Sequence, residues 1–272
     1  MPNLPGEILD YTVDLLHDDQ TALKNCCLVS KSWIPRSRKH IFAHVRLDGK
    51  KRLQSWKKMF RDPSTSPANY TKTLYIRFFK AVTGVDVELG RCLHGFSRVV
   101  RLTIVGWGLT RSSGKQYTLA PLCGFSPVLK SLSVKSVALP FSRLFDLILS
   151  FPLLEDLTAI GCHNVPTDEG NGPDRLPTAA QPSSIPMTGS LRLSKEEGTR
   201  SIGRWLLSLP GGIHFQRLAL TWNGEDDQSL AMALVKECSH TLQSLKVARH
   251  FHFDGASIGY PCPHQRPIFI TS

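Results

Sequence analysis

From residue 5 to residue 45, apolar side chains recur at helical spacing in three short runs. Ile8, Leu9, Thr12, Val13, Leu15 and Leu16 place a broad stripe along a first helix, with Pro5 at its first turn and Glu7 facing the positive end of its dipole. His17-Asp18-Asp19 breaks that run, and Asp19 is suited to cap a second helix carrying Leu23, Cys26, Cys27, Leu28 and Val29 and running on to Trp33. Pro35 stops the second helix and opens a third, with Ile41, Phe42 and Val45 on its inner side. Three short helices hide little surface among themselves. If Leu16, Leu23, Cys27 and Phe42 are buried, then Leu4, Pro5, Ile8, Leu9 and Val13 are expected to face outward. A surplus of this kind marks a partner surface, with Trp33 as its natural anchor.

Beyond residue 65 a different pattern takes over. The phrase hydrophobic-x-x-Leu-x-hydrophobic recurs as TKTLYI, VVRLTI, LKSLSV, LEDLTA, TGSLRL, FQRLAL and LQSLKV. Its central leucines, Leu74, Leu102, Leu132, Leu157, Leu191, Leu218 and Leu245, are spaced by 28, 30, 25, 34, 27 and 27 residues. That period falls near the 20–29 residues of a leucine-rich repeat. The intervening segments 87–96, 142–151, 200–209 and 228–238 read as helices. Strand, turn and helix in regular succession predict an α/β solenoid with a parallel sheet. Side chains alternating with the buried leucines on the exposed side of that sheet are Tyr75, Arg77, Thr103, Ser133, Thr158, Ala219, Thr221 and Lys246. They are candidates to meet a target protein. The repeat is irregular: five residues after the central leucine stand Cys162 and Asn223, but also Phe79, Trp107, Val137, Glu196 and His250.

Order and residue type in the first segment resemble the F-box, the adaptor-docking motif of cullin-based ubiquitin ligases. Leu4-Pro5-x-Glu7-Ile8-Leu9, Val13, Leu16, Leu23, the CCLVS stretch from Cys26 to Ser30, Lys31-Ser32-Trp33, and Ser37-Arg38 through Ile41-Phe42 follow its pattern. The wording is similar to F-box proteins expanded in mushroom-forming fungi, in which an irregular leucine-rich domain follows. That resemblance implies a small three-helix F-box over 1–47, a basic linker or helix over 48–66, and a leucine-rich-repeat-like domain over 67–250. It implies a Skp-family adaptor as partner, and through it a cullin, with the adaptor contacts falling on Leu4, Pro5, Ile8, Leu9, Val13, Val29 and Trp33. The target would be a protein that the sequence does not name, and no cofactor or metal is expected.

Charge adds an alternative. The chain of 272 residues carries a net charge of +11, and residues 31–61 hold eleven Lys or Arg against Asp48 alone. Such a block could make the protein a basic scaffold that grips nucleic acid or an anionic surface through residues 36–61, with Trp56 and Phe60 as its aromatics. A solvated helix face explains the block without a ligand, and no base-reading module accompanies it.

Composition narrows the rest. An apolar share of 41% and a charged share of 20% are those of a folded domain. No apolar run spans a bilayer, and the amino terminus lacks a secretory pattern, so the chain is expected in the cytoplasm, the nucleus or both. The seven cysteines are scattered without a CxxC pair and read as reduced thiols. No phosphate loop, GxSxG or HExxH is present, so no enzymatic activity is expected. His250, His252, Cys262 and His264 are the one set that could surround a metal, and a frayed end explains them better. Two segments stand apart. Residues 163–190 hold five of the eighteen prolines and read as an insertion, and the tail from 251 reads as irregular. Nothing in that tail resembles a polar cap, so the last sheet edge is expected to be bare.

Overall fold

The computed structural model describes residues 5–60, 66–77, 90, 92–93, 95–106, 120–164, 187–194, 197–222, 225–249 and 268–271. Three helices open the chain: α1 (Gly6–Leu15), α2 (Gln20–Val29) and α3 (Ile34–Ile41). Asp19 caps α2 by accepting hydrogen bonds from the Thr21 and Ala22 amides, both at 2.9 Å. The second helix ends at Val29, earlier than the pattern suggested. Ser30 adopts an extended backbone and caps a separate 3-10 turn, Lys31–Trp33, which leads into α3 with Pro35 in its first turn.

A nine-stranded sheet follows in strict chain order: β1 (His44–Asp48), β2 (Thr73–Arg77), β3 (Arg101–Val105), β4 (Ser131–Lys135), β5 (Asp156–Ile160), β6 (Ser190–Ser194), β7 (Arg217–Trp222), β8 (Ser244–Arg249) and β9 (Ile268–Thr271). The first eight are parallel. The fold class is therefore α/β, as the alternation of phrases requires, and solenoid-like in its order. All seven central leucines stand in one register line, Leu74 opposite Leu102 and so on to Leu245, with Val45 of β1 completing the column. A second buried column runs from Leu47 through Ile76, Ile104, Val134, Ala159 and Leu193 to Leu220.

Backbone bonds repeat with the sequence phrase. Ala43 carbonyl accepts from the amides of Lys72 and Thr73; Lys72 carbonyl accepts from Val100 and Arg101; Val100 carbonyl accepts from Lys130 and Ser131. At the far end of the strands, Gly106, Ser136 and Gly161 lie four residues after their central leucines, all at positive φ. Each donates its amide to the last residue of the next strand: Lys135, Ile160 and Ser194. A side chain at such a position strains the backbone. Replacement Gly161→Ala, at φ +62, is expected to lower stability by about 1–2 kcal/mol. Ser136→Gly, which relieves the same strain at φ 52, should act in the opposite sense by up to about 1 kcal/mol. Urea unfolding midpoints of the two variants measure both signs.

Among the described residues, four more helices, α4 (Gly49–Met59), α5 (Phe141–Leu149), α6 (Glu197–Leu207) and α7 (Glu225–Glu237), cover one face of the sheet. Leu53 and Trp56 of α4, Leu144, Leu147 and Ile148 of α5, Ile202, Trp205 and Leu206 of α6, and Leu234 of α7 share one core with the leucine column. The opposite face of the sheet has no helix on it among the described residues. Half of the expected helix over 87–96 falls outside the described residues.

Several boundaries differ from the sequence reading. Residues 44–48 form a strand, so the sheet begins within the segment assigned to the helical unit, and Val45 is buried from a strand and not from α3. His163 and Asn164, placed in the insertion, are tied to the fold. His163 bonds across to Val137 and Leu139, and the Asn164 side chain accepts from the Phe141 amide at 3.2 Å. Met187 is buried at the other end, and residues 165–186 lie outside the described ones. The edge of β8, the last of the parallel strands, is not bare. Strand β9 returns antiparallel along β8, pairing Ile270 with Leu245 and Ile268 with Val247. An antiparallel return supplies the missing hydrogen-bond partners of β8 and blunts the edge.

Candidate protein-interaction faces

Two exposed regions merit attention, one on the helical trio and one on the uncovered face of the sheet. In the trio, α1 turns Val13 inward at 1% exposure, with Leu9 half-buried, while Ile8, Tyr11 and Leu15 are exposed at 51, 64 and 65%. These three sit at i, i+3 and i+7, so they share one outer stripe. At the end of α2, Leu28 and Val29 are exposed at 85 and 70%. Inside the trio, Leu23 and Cys26 fill the centre.

The expectation for Val13 is therefore corrected: it is core, and so cannot touch a partner without unfolding α1. Leu16, Cys27 and Phe42, expected inside, are only half-buried, and Cys26 takes the inner position instead. Pro5, Ile8 and Val29 are exposed as expected, Leu9 and Trp33 are half-buried, and Leu4 lies outside the described residues. Tyr11, Leu15 and Leu28 were missed as surface groups. Asp14 meets Arg36 and His40, which lie four apart on α3. Asp14 lies on the flank of α1, about 60° around the helix from Tyr11, so this pairing fixes the flank against α3 while buried Val13 marks the inward side.

Arg36 grips both oxygens of Asp14, through Nε at 2.6 Å and through Nη2, and His40 Nε2 stands 2.7 Å from the same carboxylate. The Arg36 guanidinium first, and the His40 ring second, hold the Asp14 carboxyl well below the usual carboxylate range. Because the folded value lies below the unfolded one, the contribution is complete above the unfolded pKa of about 4 and is lost as pH falls towards the folded value. Both partners are partly solvated, which screens the pair. Replacement Asp14→Asn is expected to loosen the trio by about 1 kcal/mol at neutral pH, with the difference from wild type shrinking below about pH 4. Urea melts from pH 7 down to pH 3 would show this convergence.

On the sheet, register places Tyr75, Thr103, Ser133, Thr158, Ala219 and Lys246 in one row, together with Arg46 and Arg192, which the sequence reading passed over. Arg77 and Thr221 belong to a second row with Lys135 and Ser194. All these side chains lie on the side away from the leucine columns, so the eight target candidates do share one face. The Arg46 guanidinium sits 4.6 Å over the Tyr75 ring and reaches Asp48 at 3.0 Å.

The described cations of the basic segment 36–61 do not form one surface. Arg36 is taken by Asp14, Arg46 points from the open face of the sheet, and Lys51, Arg52, Lys57 and Lys58 are exposed on α4, on the helix-covered side. Trp56 and Phe60 are not available to stack on bases. Trp56 is buried against Phe42, Phe60 and Phe96, with ring centroids 6.0, 4.7 and 5.2 Å away.

No nucleophile or metal centre emerges among the described residues. Burial pushes the thiols of Cys123 and Cys238 up, which keeps them protonated and unreactive, and none of the six described cysteines is joined in a disulfide. No group of three or more metal-ligating side chains is found among the described residues, and His250, His252, Cys262 and His264 lie outside them. No described helix is long and apolar enough to cross a membrane. A cavity of about 20 Å³ beside the Arg200–Asp227 ion pair, lined by Leu193, Leu220 and Leu234, has room for about one water. Comparison of the chain with family models, curated proteins and solved structures finds no match.

Proposed function

We propose that this protein is a non-catalytic receptor of a cullin-based ubiquitin ligase. Its helical trio would act as an F-box and dock a Skp-family adaptor, which links it to the cullin. Its leucine-rich-repeat-like sheet would hold a protein target. The observation that carries this reading is the apolar surface that the trio leaves in water. Ile8, Tyr11, Leu15, Leu28 and Val29 are all more than half exposed, in a unit too small to spare such groups. Five large apolar side chains on about thirty residues fit a surface that a second polypeptide covers.

The mechanism is proximity. A target held on the sheet is kept at high local concentration near a ubiquitin-charged enzyme borne elsewhere in the assembly, and no side chain of this chain takes part in bond making. The junction matters for that task. Phe42, at the end of α3, packs edge-on against both Trp56 and Phe60, and Trp56 lies on Phe96. The docking unit and the sheet are thereby held at a fixed angle, so a target's position relative to the cullin is defined.

Co-expression with a Skp-type adaptor, followed by size-exclusion chromatography in moderate salt, tests the assignment. A one-to-one complex is expected. Elution of the chain alone, with retention on heparin that falls steeply with salt, would favour the basic-scaffold reading instead.

A further inference from the structure

The uncovered face of the sheet is built with a regular electrostatic pattern. Each parallel strand places three side chains there, and seven of the eight contribute a single Lys or Arg. Arg46, Arg77, Arg101 and Lys135 come from β1 to β4, and Arg192, Arg217 and Lys246 from β6 to β8. The exception is β5, which carries Asp156 in place of a cation. Asp48 is the face's other carboxylate, so the seven cations exceed the acids by five.

Both acids are already engaged. Asp48 accepts from Arg46, and Asp156 accepts from the Ser190 amide and hydroxyl at 2.7 and 2.6 Å while lying 3.8 Å from Arg217. Arg101, Lys135 and Arg192 are exposed. Between the cations the face is mostly hydroxyl: Thr73, Thr103, Ser131, Ser133, Thr158 and Ser194 supply short donors and acceptors.

Neighbouring strands lie about 4.8 Å apart, and register sets the cations at three heights along the strands with a gap at β5, so successive cations stand roughly 8–14 Å apart in a staggered band over some 30 Å of sheet. An extended peptide rises about 3.3 Å per residue, and alternate side chains on one side of it recur at about 6–7 Å. Flexible Arg and Lys side chains bridge that mismatch. Five of the seven cations are Arg, whose planar fork matches a carboxylate. Single-stranded nucleic acid fits less well, because it needs aromatic faces to stack on. The one aromatic of the described face, Tyr75, is already covered by Arg46.

We infer that the open face of the sheet binds an acidic, extended segment of a protein, one rich in Asp and Glu. The inference rests on the receptor reading for its biological use, since it names the chemistry of the target that such a receptor would hold. Complementarity of charge selects this occupant, and the hydroxyl groups between the cations can pair with the peptide backbone.

A fluorescein-labelled twelve-residue peptide of alternating Glu and Ser, titrated by anisotropy with the full chain alone and with its adaptor, provides the test. Binding is expected in both cases, and it should weaken about tenfold in the variant Arg101→Glu/Arg192→Glu, whose substitutions lie on exposed positions. Lys135→Glu, on another strand, should weaken it in the same direction, and the Gln-for-Glu peptide should not bind. Three results would overturn the inference: no binding, binding indifferent to these substitutions, or a twelve-nucleotide single-stranded RNA that binds more tightly and responds to the same changes. Adaptor capture is scored on the same samples. A chain that captures adaptor but ignores the peptide loses only this inference, and one that binds peptide but never captures adaptor loses the receptor reading.

Discussion

A chain carrying Leu15→Asp and Leu28→Asp should lose adaptor capture while keeping its unfolding temperature. Both side chains are mostly in water in the free protein, so a carboxylate at either place meets no buried neighbour and disturbs no packing. In a complex the same positions would lie under a partner. There each new charge would be desolvated without a counter-ion, and the lost apolar contact adds to that penalty. Together the two changes should weaken binding by about 100-fold or more, the range of central interface residues. The control is Val13→Asp, which by contrast should unfold the trio, because Val13 is core. If the surface variant bound as wild type, these groups would be exposed for no purpose related to an adaptor.

The second large effect concerns the junction. Trp56→Ala removes the ring shared by Phe42, Phe60 and Phe96 and leaves a cavity between the trio and the sheet. Truncation of a buried tryptophan costs about 3–5 kcal/mol. In a chain of this size that corresponds to a fall of about 10 °C or more in Tm. The helical trio should become protease-sensitive at the same time, since Phe42 loses the aromatic groups that anchor it. Thermal melts by circular dichroism and limited proteolysis together read both parts. A Tm within 2 °C of wild type would mean that the aromatic cluster does not join the two units.

The sheet was the most legible part of the chain, and for a plain reason. One residue type, leucine, marks the same inward position in seven strands, and the register confirms each of them in a single column. Where that mark is absent the pattern was harder to read. Strand β1 puts Val45 in the leucine position and follows α3 after a gap of two residues, so its alternation merges with the helix before it. Strand β9 is short, runs in the opposite direction and lies far from the phrase it pairs with, which removes every local cue.

On the trio the difficulty was one of excess. Ile8, Leu9, Tyr11, Val13, Leu15 and Leu16 place apolar groups on most of the circumference of α1, and periodicity alone does not choose which side is inward. The choice is made by partners: Asp14 by its pairing with Arg36 and His40, and Val13 beside it by burial. The cations of the open face were read only in part, as Arg77 and Lys246. Their placement, one on each parallel strand except β5, emerges once register sets Arg46, Arg101, Lys135, Arg192 and Arg217 on the same side.

Hydrogen exchange followed by mass spectrometry, on the full chain with and without a Skp-type adaptor, asks most directly whether a second polypeptide covers the trio. Slowed exchange confined to α1, the end of α2 and the Lys31–Trp33 turn, with the sheet strands unchanged, is the predicted result. Equal exchange rates in the two samples across residues 6–33, at adaptor concentrations well above the protein's, would contradict it.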